Sequence, residues 1–393
     1  MVHVLMFGWE FPPYSSGGLG TACYGLTKSL AKKGTHITFV LPYYPDGDAD
    51  FLDIVSTKIT FKRVDSQLRP YLSAARYSVL KGKGNTPAMY GESLFDEVYR
   101  YGEEAKRIAS ETDFDVIHCH DWMTFMAGIF SKRLKHKPLV VHVHSTEFDR
   151  TGGNSVNQYV YDIERYGMEQ ADMVIAVSNF TKRLIMQHYG IPEWKIKVVH
   201  NAVDQRQLSD EHVQRRQKTV LFLGRITLQK GPDYFLYAAK KVLEHDPDVR
   251  FIIAGKGDME RFIIEKSAEL GISKNVLFAG FLKGKEIDKA YRMADLYVMP
   301  SVSEPFGITA LEAIQAGTPV LISKQSGVSE VIAHALKADF WDVNDLANKI
   351  LAILRYRTLS HVMSEHASQE ITKFSWDTPA QKCIDIYNEL SHH

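Results

Sequence analysis

Two carboxylates with seven residues between them, Glu304 and Glu312, sit in the run SEPFGITALE at residues 303–312. The run before it, DLYVMP at 295–300, reads as a short buried strand, and Pro305 and Gly307 punctuate a turn into a helix expected over about 306–316. A helix start there offers the backbone N–H groups of Phe306, Gly307, Ile308 and Thr309 and a partial positive charge, which together suit a phosphate. Glu312 follows about two turns from Glu304, among Ala310, Leu311, Ala313 and Ile314. An ionised carboxylate in apolar company needs a partner, and the two hydroxyls of a ribose would serve. The same letters fit a capped helix with one exposed glutamate, so neighbouring cations decide between the two.

Those cations are Arg225 and, five residues on, Lys230, in the run LFLGRITLQKG that leaves a strand expected at 220–223. Ligands bind past the C-terminal ends of strands in open α/β sheets, so the pair can converge on a diphosphate. With the helix start and a buried ribose-type carboxylate, Glu312, this describes a nucleotide-diphosphate site. No GxxxxGK[ST] run occurs, which leaves an NTPase reading without support. Near the N-terminus, EFPPYSSGGLG leads through Gly17, Gly18 and Gly20 into an amphipathic helix, and glycines there let backbone approach a ligand. A dinucleotide fingerprint is not completed, because Cys23 stands at its third glycine. Two further polar clusters end expected strands: His118, His120, Asp121 and Trp122 (HCHDW), and His142, His144 and Glu147 (HVHSTE). Histidines two apart on a strand share a face, which suits zinc as well as sugar hydroxyls. Three DxD triplets, at 48–50, 113–115 and 246–248, lie in turn-like sequence, and no metal site is assigned to them.

Short apolar runs alternating with helical patterns must position these residues, the signature of βαβ units around parallel sheets. Strands are expected at 3–7, 37–41, 116–118, 139–142, 173–177 and 196–199, then at 220–223, 250–253, 276–279, 296–299 and 320–322. A polar, charged junction at 203–217 separates the two series, while 65–93 and 145–157 resist a regular assignment. The expectation is an α/β chain of two Rossmann-like domains whose strand ends face a deep interdomain cleft. The length of 393 residues agrees with two domains, and 47 basic against 47 acidic residues leave no footprint for nucleic acid. Three cysteines without ligand spacing, no signal-type N-terminus and no long apolar run point to a cytoplasmic protein without a membrane span. His392 and His393 are set aside.

In this order the motifs resemble the retaining glycosyltransferases of the GT-B fold in the broad family 4 group, with features shared with glycogen and starch synthases. The likeness spans nearly the whole chain: GGLG, HDW, Val143-His144, GRI with Lys230, IIAGKGD at 252–258, GFL at 280–282 and the two-glutamate run. It implies a first domain of 1–205 plus a returning helix at 375–393, and a donor-binding domain of 206–374. It also implies that Arg225 and Lys230 contact the diphosphate and that Glu312 takes the ribose hydroxyls. Glu304 and the 306–309 backbone would hold sugar and phosphate, Phe281 and Leu282 would face the base, and Gly18, Asp121 and His144 would line the sugar side. The implied reaction moves a sugar, with glucose favoured, from a nucleotide-diphosphate donor to a carbohydrate acceptor such as an α-glucan, with no cofactor and no metal. A nucleotide-sugar epimerase would convert donor without acceptor, and a non-catalytic binder would hold donor without turnover. One departure bears on the donor: Ser15 and Ser16 stand where bacterial glycogen synthases place a lysine before the glycines.

Overall fold

Apolar runs such as VLMF and LVV are what a strand needs when both sheet faces are covered. They build two parallel sheets in the computed structural model, which describes residues 2–12, 17–42, 59–64, 66, 68, 93–204 and 217–391. The first sheet holds β1 (His3–Phe7), β2 (His36–Leu41), β3 (Ile59–Arg63), β4 (Val116–His120), β5 (Leu139–Val143), β6 (Met173–Ala176) and β7 (Ile196–Val198), in the order β3-β2-β1-β4-β5-β6-β7. The second holds β8 (Thr219–Leu223), β9 (Arg250–Ala254), β10 (Val276–Gly280), β11 (Leu296–Met299), β12 (Val320–Ser323) and β13 (Leu336–Ala338), in the order β10-β9-β8-β11-β12-β13. Strand order reverses between β1 and β4 and again between β8 and β11, and ligands of doubly wound sheets bind at such points. Gly18 and Asp121 follow the strands at the first reversal; Arg225 and Glu304 follow those at the second.

The sequence pattern does not disclose β3 or β13. Both are edge strands, and β3 (ITFKR) is half exposed along its length, so neither carries a continuous apolar run. β4 and β5 also run further than expected, to His120 and Val143, which puts His120 inside the sheet beside His118 and His142.

The chain divides into two compact units, one of Met1–Glu147, Val156–Asn201 and Trp376–His393, the other of Phe148–Ser155 and Ala202–Ser375. Thus residues 148–155, which the expected boundaries give to the first domain, belong with the second. There the Ser303 hydroxyl donates to buried Asp149 at 2.5 Å. The helix Asp377–Ser391 belongs with the first unit, packing on the helix Gly18–Lys32 and on β4. Trp376 lies so close over Gly25 that an added Cβ would stand 2.2 Å from the indole, and Ser29 donates to Asp377 at 2.7 Å. In the second unit Phe222, Phe235, Phe251, Leu296 and Leu321 form part of the core beneath the site. Among the described residues no helix is long and apolar enough to cross a membrane.

Candidate active site

In the second unit the chain leaves β8 through Gly224 and Arg225 and closes a 3-10 turn at Leu228–Lys230. The glycines of IIAGKGD make that exit possible. A Cβ on Gly255 would lie 1.8 Å from the Gly224 carbonyl oxygen, and one on Gly257 would lie 2.0 Å from that of Ile226. Gln229 then ties the turn to the loop after β11: its carbonyl accepts from Val302 N–H at 2.9 Å, and its Oε1 accepts from Arg225 Nη2 at 2.8 Å. Gly231 follows in the left-handed region (φ +64), where a Cβ would stand 2.2 Å from the Pro300 carbonyl oxygen. Gly271 has nearly the same φ, +69, with nothing within 4 Å of its virtual Cβ. Gly231→Ala should therefore cost roughly 3 kcal/mol or more and Gly271→Ala only about 1 kcal/mol, read as a difference in urea midpoints.

Glu304 is pinned by its backbone, bridging to Ser326 with its N–H on Gln325 O and its carbonyl accepting from Gly327 N–H, both at 2.9 Å. Its side chain is 7% exposed, and Oε2 accepts from Lys230 Nζ at 2.6 Å and Ser301 Oγ at 3.1 Å. Sequence separates Lys230 from Glu304 as phosphate and sugar contacts; the structure joins them as an ion pair. The helix begins at Ile308 and runs to Gln315, later than the expected start at 306, because Gly307 (φ +110) is its N-cap. Met299, Val328 and Glu304 close in at 3.0–3.3 Å from where a Cβ on Gly307 would be. Phe306 lies outside the helix, its carbonyl accepting from Val328 N–H. Among the described residues no acceptor meets the N–H groups of Gly307, Ile308 and Thr309. Thr309 Oγ1 is 2.9 Å from the Tyr297 hydroxyl, whose ionisation burial pushes far up. Glu312 is half-buried rather than buried, and accepts from the Tyr291 hydroxyl at 3.2 Å. Phe281 is exposed and Leu282 half-buried just past β10.

In the first unit Gly18 opens the helix Gly18–Lys32, exposed, with empty space where a Cβ would go. Gly17 N–H before it donates to the buried Glu10 at 2.9 Å. Asp121 adopts φ +60, rare for a residue with a side chain, directly after β4. It stands at the N-cap of the helix Trp122–Lys135 without capping it. Its Oδ1 instead accepts from the N–H groups of His144 at 2.7 Å and Ser145 at 3.3 Å. Ser15, Ser16 and the triplet at 48–50 lie outside the described residues, as do most of 65–93 and of the junction at 203–217. Of the other two DxD triplets, Asp115 accepts from His3 N–H and Asp246 pairs with Lys218.

His118, His120, His142 and His144 form a buried array. His118 stacks on His120 (4.5 Å, 22°) and His142 on His144 (4.3 Å, 20°). Across the strands, His118 Nε2 lies 3.3 Å from His142 Nδ1, and His120 Nδ1 lies 3.0 Å from His144 Nε2. Burial pulls all four pKa values down, His120 to about 3, and ring neighbours lower those of His118, His142 and His144 further, so the array is neutral near pH 7. Two sets, Cys23 with His120 and His144, and His118 with His120 and His142, bring ligand-type atoms within 4.8 Å of one another. Burial also pushes the Cys23 thiol up, away from the thiolate a metal binds.

The chain matches the family model Glycosyltransferase Family 4 over residues 16–207 and the model Glycosyl transferases group 1 over residues 204–370. An uncharacterised glycosyltransferase of Methanocaldococcus jannaschii is 31% identical over 406 residues, covering 98% of each chain. A glycogen synthase of Mycobacterium tuberculosis is 27% identical over 399 residues, covering 98% of this chain and 94% of the relative. Among solved structures, a sucrose-phosphate synthase of Thermosynechococcus elongatus superposes with a TM-score of 0.80 at 19% identity, covering 99% of both chains, a likeness of fold.

Proposed function

Because the chain belongs to the glycosyltransferases of GT-B fold and family 4 type, we propose that it moves a glucosyl group from a nucleotide-diphosphate donor to an α-glucan hydroxyl, with retention at the anomeric carbon. The observation that carries this reading is that Arg225, Lys230 and the Gly307–Thr309 N–H groups all follow the two strands of the β8/β11 reversal, with Lys230 bonded to Glu304 just before that helix. As the C1–O bond to phosphate breaks, its electron pair passes to the β-phosphate, and these fixed donors meet the growing charge. The acceptor hydroxyl attacks C1 from the same face, and the departing phosphate takes its proton, giving the glycoside and a nucleoside diphosphate. An ammonium has three N–H donors, so Lys230 can keep Glu304 and still reach phosphate. With Oε2 held by Lys230 and Ser301, Glu304 keeps Oε1 for a sugar hydroxyl. Glu312, oriented by Tyr291, takes the ribose, and the backbone at Phe281 and Leu282 takes the base. Gly18, Asp121 and His144 are assigned to the sugar. The similarity to a glycogen synthase supports glucose and an α-glucan.

No metal is assigned, since two cations and a helix start supply the positive charge. EDTA should leave initial rates within about twofold; a loss restored by Mg²⁺ or Mn²⁺ would return that charge to an ion. The reading itself is tested by thermal stabilisation with UDP-, ADP- and GDP-glucose, then donor turnover with and without maltooligosaccharide. Proton NMR of the first product should show an α linkage. A β product, or turnover indifferent to acceptor, would overturn it.

A further inference from the structure

We propose that His120 is a positioning residue for His144: by occupying Nε2 it leaves Nδ1 as the atom that meets the sugar hydroxyl. This rests on the assignment of His144 to the sugar above. Three contacts fix His144. Asp121 Oδ1 holds its backbone N–H at 2.7 Å, the His142 ring stacks on it at 4.3 Å, and His120 Nδ1 stands 3.0 Å from its Nε2. The His120 and His144 centroids are 5.2 Å apart, so the two nitrogens point almost directly at each other, as in a hydrogen bond. Only Nδ1 remains. It is buried, and among the described residues it has no hydrogen-bond partner.

A buried polar atom left without a partner is costly, and where one persists in a binding region a ligand is the natural partner. Neutral imidazoles carry one N–H each, so the bond to His120 sets what Nδ1 can do. If His120 gives the shared proton, Nδ1 of His144 is a donor; if His144 gives it, Nδ1 is an acceptor. Either way the atom facing substrate is the same. The second ring pair backs the first: the Tyr387 hydroxyl, from the terminal helix, lies 2.5 Å from His118 Nδ1, and His118 Nε2 lies 3.3 Å from His142 Nδ1.

Asparagine places its amide near the Nδ1 position of histidine, whereas glutamine reaches the Nε2 position, so the two variants separate the atoms. His144→Asn should keep at least about tenfold more kcat than His144→Gln, with His144→Ala down about 10²-fold. His120→Leu should lose about tenfold or more in kcat with donor KM within about twofold, and His120→Asn should recover most of it. In wild-type enzyme with ¹⁵N-labelled histidine, an N–N coupling across the hydrogen bond should link His120 Nδ1 to His144 Nε2. Absence of that coupling overturns the proposal even if His120→Leu fails to fold. A fully active His120→Leu, or glutamine outperforming asparagine at 144, overturns positioning alone. Wild-type kcat in His144→Ala removes His144 from the reaction and overturns both readings.

Discussion

Replacing Arg225 by glutamate should lower kcat by about 10³-fold or more while costing no more than about 1–2 kcal/mol of stability. The kinetic magnitude follows from charge: one cation leaves a phosphate site and one anion enters, and losing even a single fixed donor to a developing oxyanion costs about 10²–10³-fold. The small stability cost follows from where Arg225 stands. It is half-buried on a loop, and its Nη2 is bonded to Gln229 Oε1. Its removal takes that donor from the Gln229 amide oxygen, and a loop position can relax around the loss. Lys230 offers a less clean test, because Glu304 is nearly buried and would lose its cation. Breaking a buried pair on one side costs about 3–5 kcal/mol, so lost activity in Lys230→Ala would mix chemistry with unfolding. Circular dichroism and urea midpoints of Arg225→Glu check that the fold is kept. Wild-type turnover removes Arg225 from the diphosphate, and a rise in KM at unchanged kcat makes its contact a ground-state one.

Much of this was legible in sequence because the strands at each reversal are buried on both faces and read as unbroken apolar runs. The residues past them, Arg225, Glu304 and Asp121, together with His144 past the equally buried β5, could therefore be placed at strand ends from letters alone. The pairing of Lys230 with Glu304 could not, since 74 positions separate them and no local spacing chooses a cation's carboxylate. Gln229 and Tyr291 escaped for the same reason, since they meet Val302 and Glu312 across long stretches of chain, whereas Ser301 is a local hydroxyl that the letters do not mark. Glu312 was misjudged as buried because its sequence neighbours Leu311 and Ala313 are buried. On a helix, adjacent residues are about 100° apart, so they bury a different face. The helix start moved to Ile308 because Gly307 adopts a left-handed φ, which the presence of a glycine permits but does not impose. Both histidine pairs were visible as letters. Their ring contacts became visible only once β4 and β5 were paired with His120 opposite His142.

Acid should open the first unit well before ordinary acid unfolding, because all four members of the histidine array are held neutral by burial. In the unfolded chain each takes up a proton near pH 6.5, whereas in the fold His120 resists until about 3. Between those values the unfolded state binds more protons, so stability rises with pH across the window and is fully present above about 6.5. At pH 5.5 each histidine that the fold keeps neutral forfeits on the order of 1 kcal/mol, a sizeable share for the array of a usual total margin of about 5–15 kcal/mol. The urea midpoint should therefore fall steeply from pH 7.5 to 5.5, and hydrogen exchange should place the opening in peptides carrying β4 and β5 rather than β8 and β11. His142→Asn removes one titrating ring and should flatten the slope by about a quarter, whatever it does to stability at pH 7.5. A midpoint indifferent to pH, or an equal slope in that variant, would mean that protons enter the array without opening it. The short N···N contacts would then be sharing the added proton, and the array would be a sink for protons rather than a barrier to them.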